Sequence, residues 1–91
     1  MTDRLHVFVE GRVQGVGFRY SACFEAERRG LCGWVRNTHD GRVEAEFEGT
    51  RDQLDAMLRW CHQGPRGAQV QQVDAQWESG EPKYQTFGIR Y

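Results

Sequence analysis

The feature that most constrains this chain is the alternation of two hydrophobic periods along it. From Arg4 to Glu10, Leu5, Val7 and Val9 alternate with His6, Phe8 and Glu10. This is the period-two signature of a strand, and Phe8 implies some cover on its second face. The period lengthens over Arg19 to Arg29, where Tyr20, Cys23 and Phe24 predict a helical stripe. Arg28 and Arg29 suit the negative end of that helix, Gly30 is a natural residue just past its end, and Leu31 supplies the apolar contact beyond the cap. Trp34–Thr38 and Arg42–Glu48 return to period two around His39-Asp40-Gly41, whose Asp-Gly pair signals a tight hairpin. In the second of these strands Val43, Ala45 and Phe47 alternate with Glu44, Glu46 and Glu48, and the glutamates read as a solvated face.

A second helix follows. Thr50 and Gln53 form a capping box, Leu54, Met57, Leu58 and Cys61 fall at i, i+3, i+4 and i+7, and Gly64-Pro65 stops it. Val70, Val73, Ala75 and Trp77 predict another strand, Ser79-Gly80-Glu81-Pro82 a turn, and Phe87, Ile89 and Tyr91 a short last strand. The expected fold is therefore α+β: a ferredoxin-like β-α-β-β-α-β sandwich with an additional C-terminal strand. Two helices on one face of a mainly antiparallel sheet bury both stripes. Such an architecture fixes no function by itself.

At 91 residues the chain has room for one domain, residues 1–91. Its net charge of −1 lacks the basic excess of a nucleic-acid or anionic-membrane binder. No apolar run approaches the roughly 18–20 residues that cross a bilayer, and Met1-Thr2-Asp3-Arg4 does not open a signal peptide. Cys23, Cys32 and Cys61 are odd in number and unpaired in spacing, which fits reduced thiols in a cytoplasm.

There are 11 glycines, where a chain of this length carries about six on average. Three stand in Gly11-Arg12-Val13-Gln14-Gly15-Val16-Gly17, between the first strand and the first helix. A loop there presents free backbone N–H groups together with the positive end of a helix, and Gly15 and Gly17 would let successive amides turn toward one anion. Arg19 at the helix start adds a fork of donors. The same spacing also describes an irregular strand-to-helix turn with an exposed arginine. No Walker A ending and no Gly-x-Gly-x-x-Gly is present, so nucleotide binding is not expected. Cys23 and Arg29 have the spacing of cysteine-dependent phosphatases, but the intervening residues are helical and include Glu25 and Glu27, which would repel phosphate. His6, His39 and His62 show no ligand spacing, so no metal site is expected.

Gly11 to Arg19 and Gly33-Trp34-Val35-Arg36-Asn37-Thr38-His39-Asp40-Gly41 together resemble the two signature segments of the acylphosphatase family, and Phe87-Gly88-Ile89-Arg90-Tyr91 resembles that family's C-terminus. Gly17 stands where the family varies. The resemblance spans essentially the whole chain. It implies an enzyme that hydrolyses the carboxyl–phosphate bond of acyl phosphates, giving a carboxylate and inorganic phosphate, with neither metal nor cofactor. By position, it implies that Arg19 holds the phosphoryl group with the backbone amides of Gln14, Gly15, Val16, Gly17, Phe18 and Arg19, while Asn37 orients the attacking water. Without the resemblance, Asn37 reads as a polar residue satisfied by its own turn. Expected partners are an acyl phosphate substrate and inorganic phosphate as product and competitive inhibitor, with no nucleic acid or membrane, in a cytoplasmic monomer.

Two other readings compete. A non-catalytic module that binds acyl or carbamoyl phosphates would use the same loop without turnover. An RNA-binding domain of the RRM type needs stacking aromatics and basic residues on its open sheet face, where this chain carries Glu44, Glu46 and Glu48. Arg12 and Arg36 read equally as groups that tune the site's potential or as surface charges.

Overall fold

The computed structural model describes all residues from Met1 to Tyr91. Its elements run β1 (Thr2–Arg12), α1 (Phe18–Arg28), β2 (Cys32–Asn37), β3 (Val43–Gly49), α2 (Arg51–Gln63), β4 (Gln69–Gly80) and β5 (Phe87–Ile89). The sheet order is β4-β1-β3-β2-β5. All pairings are antiparallel except β2 with β5, which is parallel. This is the α+β, ferredoxin-like arrangement that the alternating periods predict.

Register explains the core. Leu5, Val7 and Val9 of β1 stand opposite Phe47, Ala45 and Val43 of β3, and Val35 of β2 stands opposite Ala45, so these side chains share one face. Both helices cover that face, joining one buried cluster that includes Phe18, Leu54, Met57 and Cys61. The capping box of α2 forms as expected: the Gln53 N–H donates to Thr50 Oγ1 and the Thr50 N–H to the Gln53 side chain. At the end of α1, Gly30 adopts φ 76°, its N–H reaching Glu27 O and that of Leu31 reaching Ala26 O. That is a Schellman stop.

Two expectations are corrected. The buried stripe of α1 is Phe18, Ala22 and Ala26; of the expected residues Cys23 packs half-buried on the core, but Tyr20 and Phe24 do not. Small residues let the helix lie close to the sheet, and the larger aromatics are left outside, Tyr20 at 62% and Phe24 at 63% exposure. The β3 glutamates are not a solvated face either, since Glu44, Glu46 and Glu48 are all buried. β3 is the central strand, and its second face carries a closed layer of ionic and hydrogen-bonded pairs. Arg4 Nε donates to Glu48 at 2.9 Å, and the Lys83 and Tyr84 N–H groups donate to the same carboxylate. His6 lies 2.7 Å from Glu44 and 3.1 Å from Glu46. Tyr84 Oη donates to Glu46 at 2.6 Å and accepts from Trp34 Nε1. Burial pushes Glu44 and Glu48 upward, but Arg36 and His6 hold Glu44, and the Lys83 and Tyr84 N–H groups with Arg4 hold Glu48, below the usual carboxylate range.

Candidate active site

β1 parts from β3 after Val9, passes an irregularity between Glu10 and Gly11, and stays paired with β4 as far as Arg12. Gly11 adopts φ 126°, and a Cβ there would stand 2.2 Å from the Gln69 carbonyl oxygen, so only glycine lets β1 and β4 approach so closely. Val13 then drops into the core and anchors the loop. Gly15 and Gly17 both take φ 77°, a left-handed conformation that side chains disfavour. Gly17 is the N-cap of α1 and offers no side-chain oxygen to the helix amides.

The amides of this loop are consequently unspent. No N–H from Gln14 to Tyr20 donates to a backbone carbonyl outside the regular elements. The first turn of α1 contains no acidic residue, so the positive end of its dipole is not neutralised locally. Phe18, tilted against Trp60 with ring centroids 5.2 Å apart, fixes where the helix begins. Arg19 follows, half-buried, with its guanidinium carbon 5.0 Å from the centroid of the Tyr91 ring. Unlike Arg4, Arg29 and Arg36, it makes no ion pair with a carboxylate.

Asn37 approaches from the other side. As the last residue of β2 it shares the helix-facing side of the sheet with Val35, whereas Arg36 points to the opposite face. The hairpin beyond it is tied by Thr38, Asp40 and Arg42, with the Thr38 N–H donating to Arg42 O at 2.8 Å. Asn37 takes no part in those bonds, so the turn does not consume its amide. Gln14 joins loop to hairpin, because its Nε2 donates to Thr38 O and to Arg42 O, each at 2.8 Å.

The result is a pocket of about 180 Å³ lined by Val13, Gly15, Gly17, Phe18, Arg19, Tyr20 and Asn37. Arg19 and Asn37 are thus brought together, along with Gly15, Gly17 and Phe18 of the loop. Gln14 and Val16 belong to the same loop without lining the pocket, Val16 packing on the core. Arg36 is spent on Glu44, 2.6 Å away, and Arg12 is exposed, so neither reaches the pocket. Reading residues alone missed the side chain of Gln14 and the rings of Tyr20 and Tyr91. Tyr20 is adjacent to Arg19, which is the one signal that could have found it. The Cys23 thiol is pushed up by burial and by Glu27, which opposes any role as a nucleophile.

An uncapped helix start, an unpaired arginine and an uncommitted amide in one small pocket suit a compact dianion attacked by a neutral nucleophile. The acylphosphatase family model matches residues 5–89. The chain belongs to the acylphosphatase family. It is 62% identical over 78 residues to an acylphosphatase of Trichormus variabilis, covering 86% of this chain and 77% of the relative. It is 50% identical to that of Anaeromyxobacter dehalogenans, with both chains covered in full. Among solved structures, the acylphosphatase of Bacillus subtilis superposes with a TM-score of 0.94 at 36% identity, covering 98% of this chain and 99% of that one. As a member of this family the chain is an enzyme, an acyl phosphate hydrolase. No helix is long and apolar enough to cross a membrane.

Proposed function

We propose that this acylphosphatase works by direct attack of water on a phosphoryl group held by Arg19 and the backbone amides of Gln14 to Arg19, with Asn37 orienting the water. The reading rests on one observation above all: Arg19, free of carboxylate partners, shares a 180 Å³ pocket with Asn37 at an uncapped helix start. Gly15 and Gly17, both at φ 77°, let the loop curl its amides around one centre.

The chemistry asks little else. The side-chain carbonyl of Asn37 accepts a hydrogen bond from the water, whose oxygen forms the new bond to phosphorus. The bond from phosphorus to the acyl oxygen breaks, and a carboxylate leaves. Its conjugate acid has a pKa near 4, so no general acid is needed to assist departure. The water proton passes to a phosphoryl oxygen, and the products are a carboxylate and inorganic phosphate. Positioning and charge stabilisation on the equatorial oxygens carry most of such a reaction, and a guanidinium fork with a ring of N–H donors supplies the stabilisation.

Residues 1–91 act as one domain in this proposal, a cytoplasmic monomer inhibited competitively by inorganic phosphate. The test is hydrolysis of benzoyl phosphate without added metal by wild type, Arg19→Ala and Asn37→Ala, with folding followed in parallel. Arg19→Ala is expected to lose about 10³-fold or more in kcat/KM, and Asn37→Ala about 10²-fold or more. Full activity in either folded variant would remove that residue from the mechanism. Phosphate binding without turnover in the wild type would instead favour a non-catalytic acyl phosphate-binding module.

A further inference from the structure

The phosphate pocket holds only the phosphoryl end of the substrate, and the acyl group must project beyond it. A second depression, of about 370 Å³, is lined by Tyr20, Ser21, Phe24 and Glu25 of α1 with Trp60 and Pro65. Tyr20 lines both spaces. Its hydroxyl lies 3.4 Å from that of Tyr91, whose ring faces the Arg19 guanidinium, so Tyr20 borders the phosphate side directly. Phe24 is one helical turn further on, about 6 Å along the axis on the same face. Neither ring serves the core, at 62% and 63% exposure. Two large aromatics left outside at helical spacing form a patch that the fold does not explain. The acidic wall, Glu25, is already bound to Arg28 and Arg29, so the groove offers no free cation to a charged acyl group.

We propose that this groove is the acyl subsite, and that Tyr20, Phe24 and Trp60 select acyl phosphates with a neutral aromatic or extended apolar acyl group. The assignment rests on the placement of the phosphoryl group beside Arg19. The two spaces share Tyr20, so an acyl chain leaving the phosphate pocket along α1 meets Tyr20 first and Phe24 next. On this assignment an acetyl group ends before Phe24 and a benzoyl ring reaches it.

The experiment compares kcat/KM for benzoyl phosphate with that for acetyl phosphate in wild type and Phe24→Ser, with the inhibition constant of inorganic phosphate measured in both. Phe24 is exposed, so Phe24→Ser is expected to fold. The benzoyl-to-acetyl ratio should fall about three- to tenfold in Phe24→Ser, the worth of one aromatic contact, chiefly through a higher KM for benzoyl phosphate. The phosphate inhibition constant should stay within twofold. An unchanged ratio in Phe24→Ser overturns the subsite, as does an equal loss with both substrates, because the phosphate site would then be reporting. Absence of hydrolysis of either substrate by the wild type is a separate result and removes the underlying mechanism along with the subsite.

Discussion

The side chain of Gln14 offers the sharpest test of how the pocket is assembled. Its Nε2 donates to Thr38 O and Arg42 O, both at 2.8 Å, and so ties the glycine loop to the hairpin that carries Asn37. Gln14→Met keeps the length of the side chain and removes both donors. Neither carbonyl is orphaned, because Thr38 O still accepts from the Gly41 N–H and Arg42 O from the Thr38 N–H and hydroxyl. The stability loss should therefore lie near the net worth of two neutral hydrogen bonds, about 1–2 kcal/mol, without a further desolvation penalty. In a domain of this size that is a fall of roughly 5–15 °C in Tm. The activity loss should be larger in proportion. A displacement of about 1 Å between reacting groups can cost around 10²-fold, and in the proposed mechanism Gln14 sets the distance between the water on Asn37 and the phosphoryl group on the loop. The expected result is a fall in kcat of about 10- to 100-fold for benzoyl phosphate. KM should change by only a few-fold, since Arg19 and the amides lie on the loop side of the tie. Thermal unfolding and steady-state kinetics on one preparation decide it. A kcat within twofold of wild type, or a loss explained entirely by unfolded enzyme, would refute the positioning argument.

Other parts of the molecule make further predictions. Glu48→Ala removes the acceptor of two backbone N–H groups and one of the carboxylates around buried Arg4, which keeps Glu78 and the Glu81 carbonyl, and should cost about 2–4 kcal/mol in urea unfolding, whereas a loss below about 1 kcal/mol would mean the layer is not a stabilising one. The folded-state pKa values of Glu25, Glu44 and Glu48 lie below their ordinary 4.5, so the stability these groups contribute is present above that pH and is lost as pH falls through the depressed values. Acid titration of unfolding should show stability declining below about pH 4.5, with Glu48→Gln flattening the slope. Gly33 takes φ 136°, and a Cβ there would stand 1.9 Å from the Glu46 carbonyl oxygen, so Gly33→Ala should yield little folded protein by circular dichroism. Burial drives the Cys61 thiol up to about 12, and a thiol reagent should modify it only as the protein unfolds; rapid labelling of Cys61 in native protein would contradict its place in the core.

Most of the element order is legible in the residues, because each segment's period agrees with its caps and turns. The exceptions share a physical cause. Period two along Val43–Glu48 states that two faces differ, but not that the polar face is wet. That depends on strand order, and β3 lies at the centre of the sheet, where Arg4, Trp34, Arg36 and the 81–84 segment close over its glutamates. Likewise, a helical stripe read from size selects Tyr20 and Phe24, whereas packing against a sheet favours Ala22 and Ala26. At the site, Gly15, Gly17 and Arg19 announce themselves locally. The Gln14 tie and the Tyr91 ring depend on contacts across 24 to 72 residues of chain, which no local pattern encodes.

Why Arg19 and Asn37 meet at all follows from topology. β1 and β2 each pair antiparallel with β3, and so run parallel to one another on either side of it. Their C-terminal ends therefore emerge on the same rim of the sheet, where Val9 and Asn37 are both opposite Val43. Two strand spacings, about 10 Å, separate those ends. The loop after β1 must turn back across that gap before α1 can begin over β2, and the tight glycine turn with its buried Val13 keeps it close enough for Gln14 to bridge. Any change that moved Asn37 by one position along β2 would send it to the face of Trp34 and Arg36, across the sheet from the loop amides. A single-residue insertion in β2 that keeps the strand paired should therefore abolish turnover while leaving phosphate binding at the loop. Isothermal titration with inorganic phosphate beside a benzoyl phosphate assay would separate the two, and equal loss of both would show that the loop cannot form without the hairpin in register.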